Sequence, residues 1–134
     1  MQKNLFILIC LIAFASCTDN NVSETHTDVA KQTEAVEKVS PLGFLFILGT
    51  YKKNKVGEWV IEAKINNKAS IVTYKDIVLK IRYYSKTKTL IGSEDETILG
   101  YFKPNESHPI VIKKAGLNGT ASVDIIIIST DNVE

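Results

Sequence analysis

The sequence predicts an all-β fold, an antiparallel β-sandwich of about seven strands. From residue 42 onward, the 134-residue chain is a succession of short apolar runs separated by turn residues. Several of these runs alternate apolar and polar side chains with a period of two, which is the pattern of a half-buried strand. No helical stretch separates the runs, so there is no room for the crossover connections of a parallel sheet. Several short strands at this spacing indicate a sandwich.

The first predicted strand, residues 44–48, is a continuous apolar run that we expect to be covered on both faces. The second strand alternates, and residues 66–68 form the turn that ends it. Its inward face is expected to carry Trp59, Ile61, Ala63 and Ile65. The tryptophan is therefore predicted to be a core residue.

The third predicted strand has the same alternation. Its inward face is expected to carry Ile77, Leu79, Ile81 and Tyr83, with Tyr84 on the other face. The remaining predicted strands are residues 89–91, 97–102, 110–112 and 122–129. Residues 94–96 separate two of these strands and are expected to form a solvated loop.

The first 16 residues have the organisation of an export signal. Lys3 supplies a positive charge, an uninterrupted apolar run covers residues 5–14, and the small residues Ala15 and Ser16 follow. This order is typical of a secretory signal, and the apolar run is short for a permanent transmembrane helix. Residues 1–16 are therefore predicted to be a signal peptide.

Phe14, Ala15, Ser16 and Cys17 together resemble the lipobox of bacterial lipoproteins, although leucine is more common where this chain has Phe14. The resemblance implies that the Cys17 thiol receives diacylglycerol and that cleavage before Cys17 makes it the mature N-terminus. Each buried methylene contributes about 0.8 kcal/mol, and two or more chains hold a protein stably on a membrane. Cys17 is thus the predicted lipidation site, with the membrane as its partner.

Residues 17–41 are predicted to be the lipidated cysteine and a flexible polar tether. Residues 18–41 contain two lysines and five acids, and residues 18–40 have no aromatic side chain. Such a segment buries too little apolar surface to offset the entropy of ordering. A marginal helix from about Asp28 to Val39 is compatible with the spacing, but is too short to be stable alone. The sandwich domain is predicted to span residues 42–134.

The order of features between Trp59 and Lys113 resembles the FxLYD-type family of small immunoglobulin-like domains. The motifs that carry the resemblance are residues 61–67, the apolar strand 77–84 and the turn 104–106. The sequence departs from the family pattern at Glu62 or Ala63, where glycine is usual, and at Asn105, which replaces the glycine of the turn. The resemblance implies an immunoglobulin-like sandwich and no shared active site.

Charge and cysteine content exclude several classes of protein. The formal net charge is +1, so no nucleic-acid partner is indicated. The two cysteines are Cys10, within the signal, and Cys17. No disulfide is therefore expected, and the core alone must stabilise the domain.

No residue pattern indicates a catalytic, cofactor-binding or metal-binding site. His108 precedes Pro109 at a predicted strand edge, where a turn role is favoured over that of a general base. The acids at 94–96 could bind a hard cation, but no glycine-spaced loop accompanies them. Lysines cluster at 52–55 and 113–114, where ordinary solubilising charge explains them. We expect no cofactor.

Two functions are compatible with this chain without enzymatic activity. The first is a lipid-anchored structural or protein-interaction module of the bacterial cell envelope, because an open sandwich offers strand edges to a partner. It would lie on the periplasmic face or the cell surface, with the outer membrane as the expected location. The alternative is a small-ligand or glycan-binding lipoprotein, for which Tyr84 and Tyr101 are the candidate surface aromatics. An enzyme is not expected, because no site is visible.

Overall fold

The structure is a computed structural model and describes residues 22–133. In this range, the helix α1 (Val22–Val39) and a 3-10 turn (Pro41–Gly43) precede the strands. The strands are β1 (Leu45–Lys53), β2 (Trp59–Asn67), β3 (Tyr74–Tyr84), β4 (Leu90–Phe102), β5 (Ser107–Lys114) and β6 (Ser122–Asn132). The predicted signal peptide and Cys17 lie outside the described residues.

The strands form two antiparallel three-stranded sheets, which confirms the predicted all-β sandwich. Sheet A has the order β1-β2-β5, and sheet B has the order β4-β3-β6. The chain changes sheet three times, between β2 and β3, between β4 and β5, and between β5 and β6. This connectivity corresponds to strands A-B-E and C′-C-F of an immunoglobulin domain. In that correspondence, β6 occupies the position of strand F.

The described residues contain six strands where about seven were predicted. The predicted strands 89–91 and 97–102 are parts of one strand, β4, and residues 94–96 are paired with β3 rather than in a loop. The acids are tolerated because β4 is an edge strand, where charged side chains can reach solvent and basic partners.

The core lies between the two sheets, and both predicted inward stripes are confirmed. The buried residues of β2 include Trp59, Ile61, Ala63 and Ile65, and those of β3 include Ile77, Leu79, Ile81 and Tyr83. Both strands are central in their sheets, so the alternation of their sequences follows directly from having one face on the core.

The prediction that the first strand is covered on both faces is wrong. β1 is an edge strand, and its register with β2 turns Phe46 and Leu48 to the outside of sheet A. Their side chains are 49% and 73% exposed. A continuous apolar run is ambiguous because it fits a doubly covered strand and a strand with an uncovered apolar face equally well.

The predicted tether is helical from Val22 onward rather than from about Asp28. Its last turn contacts the sandwich, which the sequence did not predict. Glu37 is buried at 2% exposure, and the side chain of Asn132 donates to the carbonyl of Lys38 at 3.0 Å. These contacts hold the end of a polar helix against the sandwich, and tertiary contacts of this kind supply most of the stability of helices in proteins.

The loop between β2 and β3 receives this last turn. Asn67, predicted to lie in a turn, is buried at the end of β2. Its amide nitrogen donates to the carbonyls of Val72 and Phe102 at 3.0 and 2.9 Å, and its oxygen accepts from the Ala69 N–H at 2.8 Å. Asn67 thereby fixes the loop that presents its backbone N–H groups to α1.

Candidate interaction surfaces

The acidic residues 94–96 form ion pairs within the domain. Asp95 accepts from Lys80 at 2.6 Å, and Glu96 accepts from Lys114 at 2.7 Å. Glu94 lies 3.5 Å from Lys114 and accepts from the Tyr83 hydroxyl. Because Lys114 is on β5 of sheet A, and Glu94 and Glu96 are on β4 of sheet B, the contacts of Lys114 join the two sheets along one side of the sandwich. Residues 22–133 contain no group of three or more potential metal ligands.

These contacts shift the pKa values of two groups in the cluster. The hydrogen bond to Glu96 is the main cause of the raised pKa of Lys114, and the charge of Glu94 adds to it although burial opposes it. Burial and then the bond to Glu94 raise the pKa of the Tyr83 hydroxyl. Lys114 therefore stays charged and Tyr83 stays protonated near neutral pH. Lys114 joins sheet A to sheet B, and the Tyr83 hydroxyl joins β3 to β4 within sheet B.

His108 is a packing residue of β5 rather than part of a turn. Its ring meets that of Phe102 edge-on, with the ring centroids 4.8 Å apart. Its Nε2 lies 3.3 Å from a carboxylate oxygen of Glu106. A general base needs a nucleophile and an orienting acid within reach, and His108 contacts the Phe102 ring and the Glu106 carboxylate. We assign it a structural role.

Three of the clustered lysines contact other residues of the domain. Lys52 pairs with Glu62 at 2.6 Å, and the Lys53 ammonium lies 4.9 Å from the centre of the Trp59 ring. Lys114 belongs to the acid cluster described above. The exposed Lys52 pair is what ordinary surface charge predicts, whereas Lys114 joins the two sheets, a role that the sequence did not predict.

The two candidate aromatics of a glycan site are far apart. Tyr84 lies at the end of β3 opposite Leu90, whereas Tyr101 lies opposite Lys75 near the start of β3. They therefore occupy opposite ends of sheet B and form no continuous aromatic line. Tyr101 is 65% exposed and borders an open cleft of about 640 Å³. The other residues lining this cleft are Lys38, Lys75, Asp131, Asn132 and Val133.

The outer face of sheet A exposes apolar side chains on both of its edge strands. Phe46 and Leu48 project from β1, and Pro109 and Val111 project from β5, where Val111 is 64% exposed. We call these four residues the apolar face. Between its two sides run the outward residues of β2, including Lys64 and Glu62. The sequence shows the alternation of β5 and the apolar run of β1. It does not show that both strands turn apolar side chains away from the core.

Distant parts of the chain are joined by the Glu37 clasp, a polar contact that Glu37 of α1 makes with residues 70–74. The carboxylate accepts from the Ser70 N–H at 2.6 Å, the Ser70 hydroxyl at 2.7 Å, the Ile71 N–H at 3.0 Å and the Val72 N–H at 2.9 Å. The Tyr74 hydroxyl donates to the Glu37 carbonyl at 2.9 Å. This contact fixes the end of α1 against the sandwich.

The chemistry of the clasp explains its pKa shifts. Burial alone would raise the pKa of Glu37, but the bonds from Ser70, Val72 and Ile71 together outweigh it and lower the pKa. Burial, with the charge of Glu37, raises the pKa of Tyr74 to about 12. The carboxylate therefore stays ionised and the phenol stays protonated at neutral pH, which are the forms that the hydrogen bonds require.

No described helix is long and apolar enough to cross a membrane. The comparisons with known proteins add little to the geometry. No protein-family model matches the chain, so the FxLYD-type resemblance has no support from that comparison. No curated protein matches it either.

Among solved structures, the Salmonella enterica trimeric lipoprotein SadB is similar to this chain at 13% sequence identity and a TM-score of 0.45. The similarity covers 80% of this chain and 73% of that chain. A likeness this distant assigns no function, so the interpretation of this protein depends on its own residues and contacts.

Proposed function

We propose that this protein is a bacterial lipoprotein, anchored to the cell envelope through lipid on Cys17, whose FxLYD-like, immunoglobulin-like domain acts as a structural or protein-interaction module. The export signal and the lipobox-type residues support the anchor. We place the protein at the outer membrane. It acts by contact and catalyses no reaction.

The observation that carries the proposal is the apolar face. Phe46, Leu48 and Val111 are all about half exposed or more on one side of sheet A. Exposed apolar side chains grouped on one surface mark interaction sites, because burying them against a partner is favourable. The same outward face carries one acid, Glu62, and three lysines, which are Lys52, Lys64 and Lys113. It therefore fits a protein partner whose contact surface is apolar with acidic groups at its rim.

The anchor is tested by replacing Cys17 with alanine in the full chain. We expect the unmodified protein to sediment with membranes and to resist alkaline extraction, because lipid chains bury many methylenes. The Cys17→Ala protein should move to the soluble fraction with an unchanged far-UV circular dichroism spectrum. A variant that remains in the membrane fraction would contradict the lipid anchor.

The interaction surface is tested with lysine substitutions. Leu48→Lys together with Val111→Lys should abolish the crosslinks that the full chain makes in native membranes, because burying two added charges is unfavourable. Leu99→Lys is the matched control, since Leu99 is 78% exposed and lies on β4 of the other sheet. Crosslinks that persist in the double variant, or vanish in the control alone, would show that the apolar face is not the contact surface.

A specific observation also favours the second candidate, a glycan or small polar ligand. The cleft beside Tyr101 combines an exposed aromatic ring with the polar side chains of Lys75, Asp131 and Asn132. Polar groups around an aromatic surface suit an amphipathic ring such as that of a sugar. Binding of envelope oligosaccharides that is lost in Tyr101→Ala would favour this candidate over the protein-interaction module.

A further inference from the structure

The helix α1 exposes a row of apolar side chains that the sandwich leaves uncovered. Val29, Val36 and Val39 are each more than half exposed, and Gln32, which lies between them, is exposed as well. These four residues follow one another at alternating spacings of three and four, which place their side chains in one row along a helix. We call Val29, Gln32, Val36 and Val39 the valine stripe.

The same spacing continues toward the start of α1 in the sequence. Valine recurs every seven residues, at positions 22, 29 and 36. A seven-residue repeat of apolar residues is the pattern of a helix that packs along another helix, and valine suits the first apolar position of the repeat in a parallel pair. The stripe therefore has the spacing of a helix–helix contact.

The direction of the stripe leaves room for a second helix. Glu37 and Lys38, in the last turn of α1, supply the hydrogen bonds that hold the helix on the sandwich. Successive residues of an α-helix lie about 100° apart around its axis, so Val36 points roughly at a right angle to the buried Glu37. A helix packed along the stripe would therefore lie beside the sandwich and leave the Glu37 clasp in place.

The stripe also lies where α1 needs further contacts. A helix of this length is marginal in water, and most helical stability in proteins comes from packing an amphipathic face. The clasp stabilises the last turn, whereas the stripe begins two turns earlier, at Val29. Packing the stripe against a partner would stabilise the part of α1 that the clasp does not reach.

We propose that the valine stripe packs in parallel against the valine stripe of a second copy of this chain, forming a short coiled coil close to the membrane. This inference rests on the proposed lipid anchor. Cys17 lies five residues before Val22, so anchored copies present the same end of α1 to the same membrane. A second copy thus offers the same repeat in the same direction, which is the partner that a parallel seven-residue pattern requires.

The anchor also compensates for the shortness of the stripe. Copies held on one membrane meet at a higher effective concentration than copies in solution. Valine then packs on valine at positions 29 and 36. The side-chain amide of Gln32 has both donors and an acceptor, so the two copies of Gln32 can bond to each other, and a polar residue inside a coiled coil fixes its register.

The residues that flank the stripe are compatible with a parallel pair. In the seven-residue repeat, a residue on one flank of the stripe approaches the residue five positions later on the other helix. Asp28 of one copy therefore approaches the uncharged Thr33 of the other. No like charges oppose each other at this contact.

Disulfide crosslinking in native membranes tests the pairing. Under the proposed processing, Cys10 is removed with the signal and the Cys17 sulfur carries lipid, so a cysteine introduced into the full chain is its free thiol. After mild oxidation, Val29→Cys and Val36→Cys should each run as a covalent dimer on a non-reducing gel, because equivalent stripe positions lie within disulfide reach.

Lys31→Cys is the matched control for this experiment. Lys31 is also exposed, but it follows Val29 by two residues and therefore lies on the opposite side of the helix. We expect this variant to remain a monomer. Monomers at both stripe positions, or as much dimer at position 31 as at position 29, would overturn the proposal.

A second set of variants asks whether the valines hold the pair together. Gln32→Cys should also give the covalent dimer. Adding Val29→Lys and Val36→Lys to it should abolish the dimer, because like charges would then meet across the contact. A dimer that persists in the triple variant would contradict packing through the stripe.

The unmodified chain separates this inference from the proposed function. It should give no disulfide dimer, since lipid blocks the Cys17 thiol, and a dimer here would contradict the anchor on which the pairing rests. Loss of the stripe dimers in a chain whose Cys17 is lipidated would show that only the self-association is wrong. The lysine variants should keep the envelope crosslinks of the apolar face, because that face belongs to sheet A and not to α1.

Discussion

Replacing Glu37 with alanine is expected to lower the free energy of unfolding by about 2 to 3 kcal/mol. The carboxylate accepts three backbone N–H bonds and one hydroxyl bond from Ser70, Ile71 and Val72. Without it, the N–H groups of a part-buried loop lose a charged acceptor, and hydrogen bonds to charged groups are the stronger ones. Denaturant unfolding followed by circular dichroism measures the change.

Glu34→Ala is the matched control for this substitution. Glu34 lies one turn earlier in α1 and pairs with Lys38 at 2.7 Å, with both side chains 41% exposed. An exposed ion pair contributes little, so we expect a loss of about 0.5 kcal/mol or less. Equal losses for the two variants would contradict the clasp. They would show that the buried carboxylate of Glu37 contributes no more to stability than an exposed glutamate of the same helix.

The clasp also predicts a dependence of stability on pH. The pKa of Glu37 is lowered below its ordinary value of 4.5 in the folded protein. The ionised form therefore stabilises the fold fully above pH 4.5, and this contribution falls as the pH drops through the lowered pKa. The difference in unfolding free energy between the unmodified protein and Glu37→Gln should shrink on acidification. A difference that grows at acid pH would give the wrong sign for this mechanism.

Trp59→Ala is expected to cost about 3 to 5 kcal/mol, because removing a buried tryptophan leaves a large cavity. The side chain is 5% exposed and meets the Tyr51 ring edge-on, with centroids 5.7 Å apart. Gly116, at a φ of +74°, approaches so closely that a Cβ there would lie 2.5 Å from the indole. Thermal or denaturant unfolding of the variant measures the loss.

Trp59→Phe is the control, since it keeps an aromatic ring in the site and should lose less stability than alanine. Trp59 is the only tryptophan of the chain, so native fluorescence reports on this position alone. We expect a blue-shifted emission that a soluble quencher reaches poorly. Red-shifted and fully quenched emission would show that β2 has the opposite register and that Val60 faces the core.

The two central strands could be predicted from sequence because each has one face on the core. Trp59 and Ile61 in β2, and Ile77 and Leu79 in β3, alternate with residues of the other face, and period two fixes which side is buried. The same logic fails for β1. Its apolar run gives no alternation, so the exposure of Phe46 and Leu48 depends on the position of the strand at an edge, which the sequence does not encode locally.

The Glu37 clasp could not be predicted for a related reason. Glu37 and Ser70 are far apart in sequence, and a lone glutamate in a polar segment has the pattern of a solvated helix. The loop that donates to Glu37 depends on Asn67, whose amide bonds to Val72 and to Phe102 of the other sheet, 35 residues away in sequence. Residues 94–96 could not be placed in a strand for the same reason. Their charges suggested a loop, and their partners, Lys80 and Lys114, come from other strands.

The lipid anchor is the centre of the proposed function, and mass spectrometry of the N-terminal peptide of the mature protein tests it most directly. We expect a peptide that begins at Cys17 and carries the added mass of a diacylglyceryl group on the sulfur. An unmodified Cys17, or a mature chain that begins at another residue, would contradict the anchor.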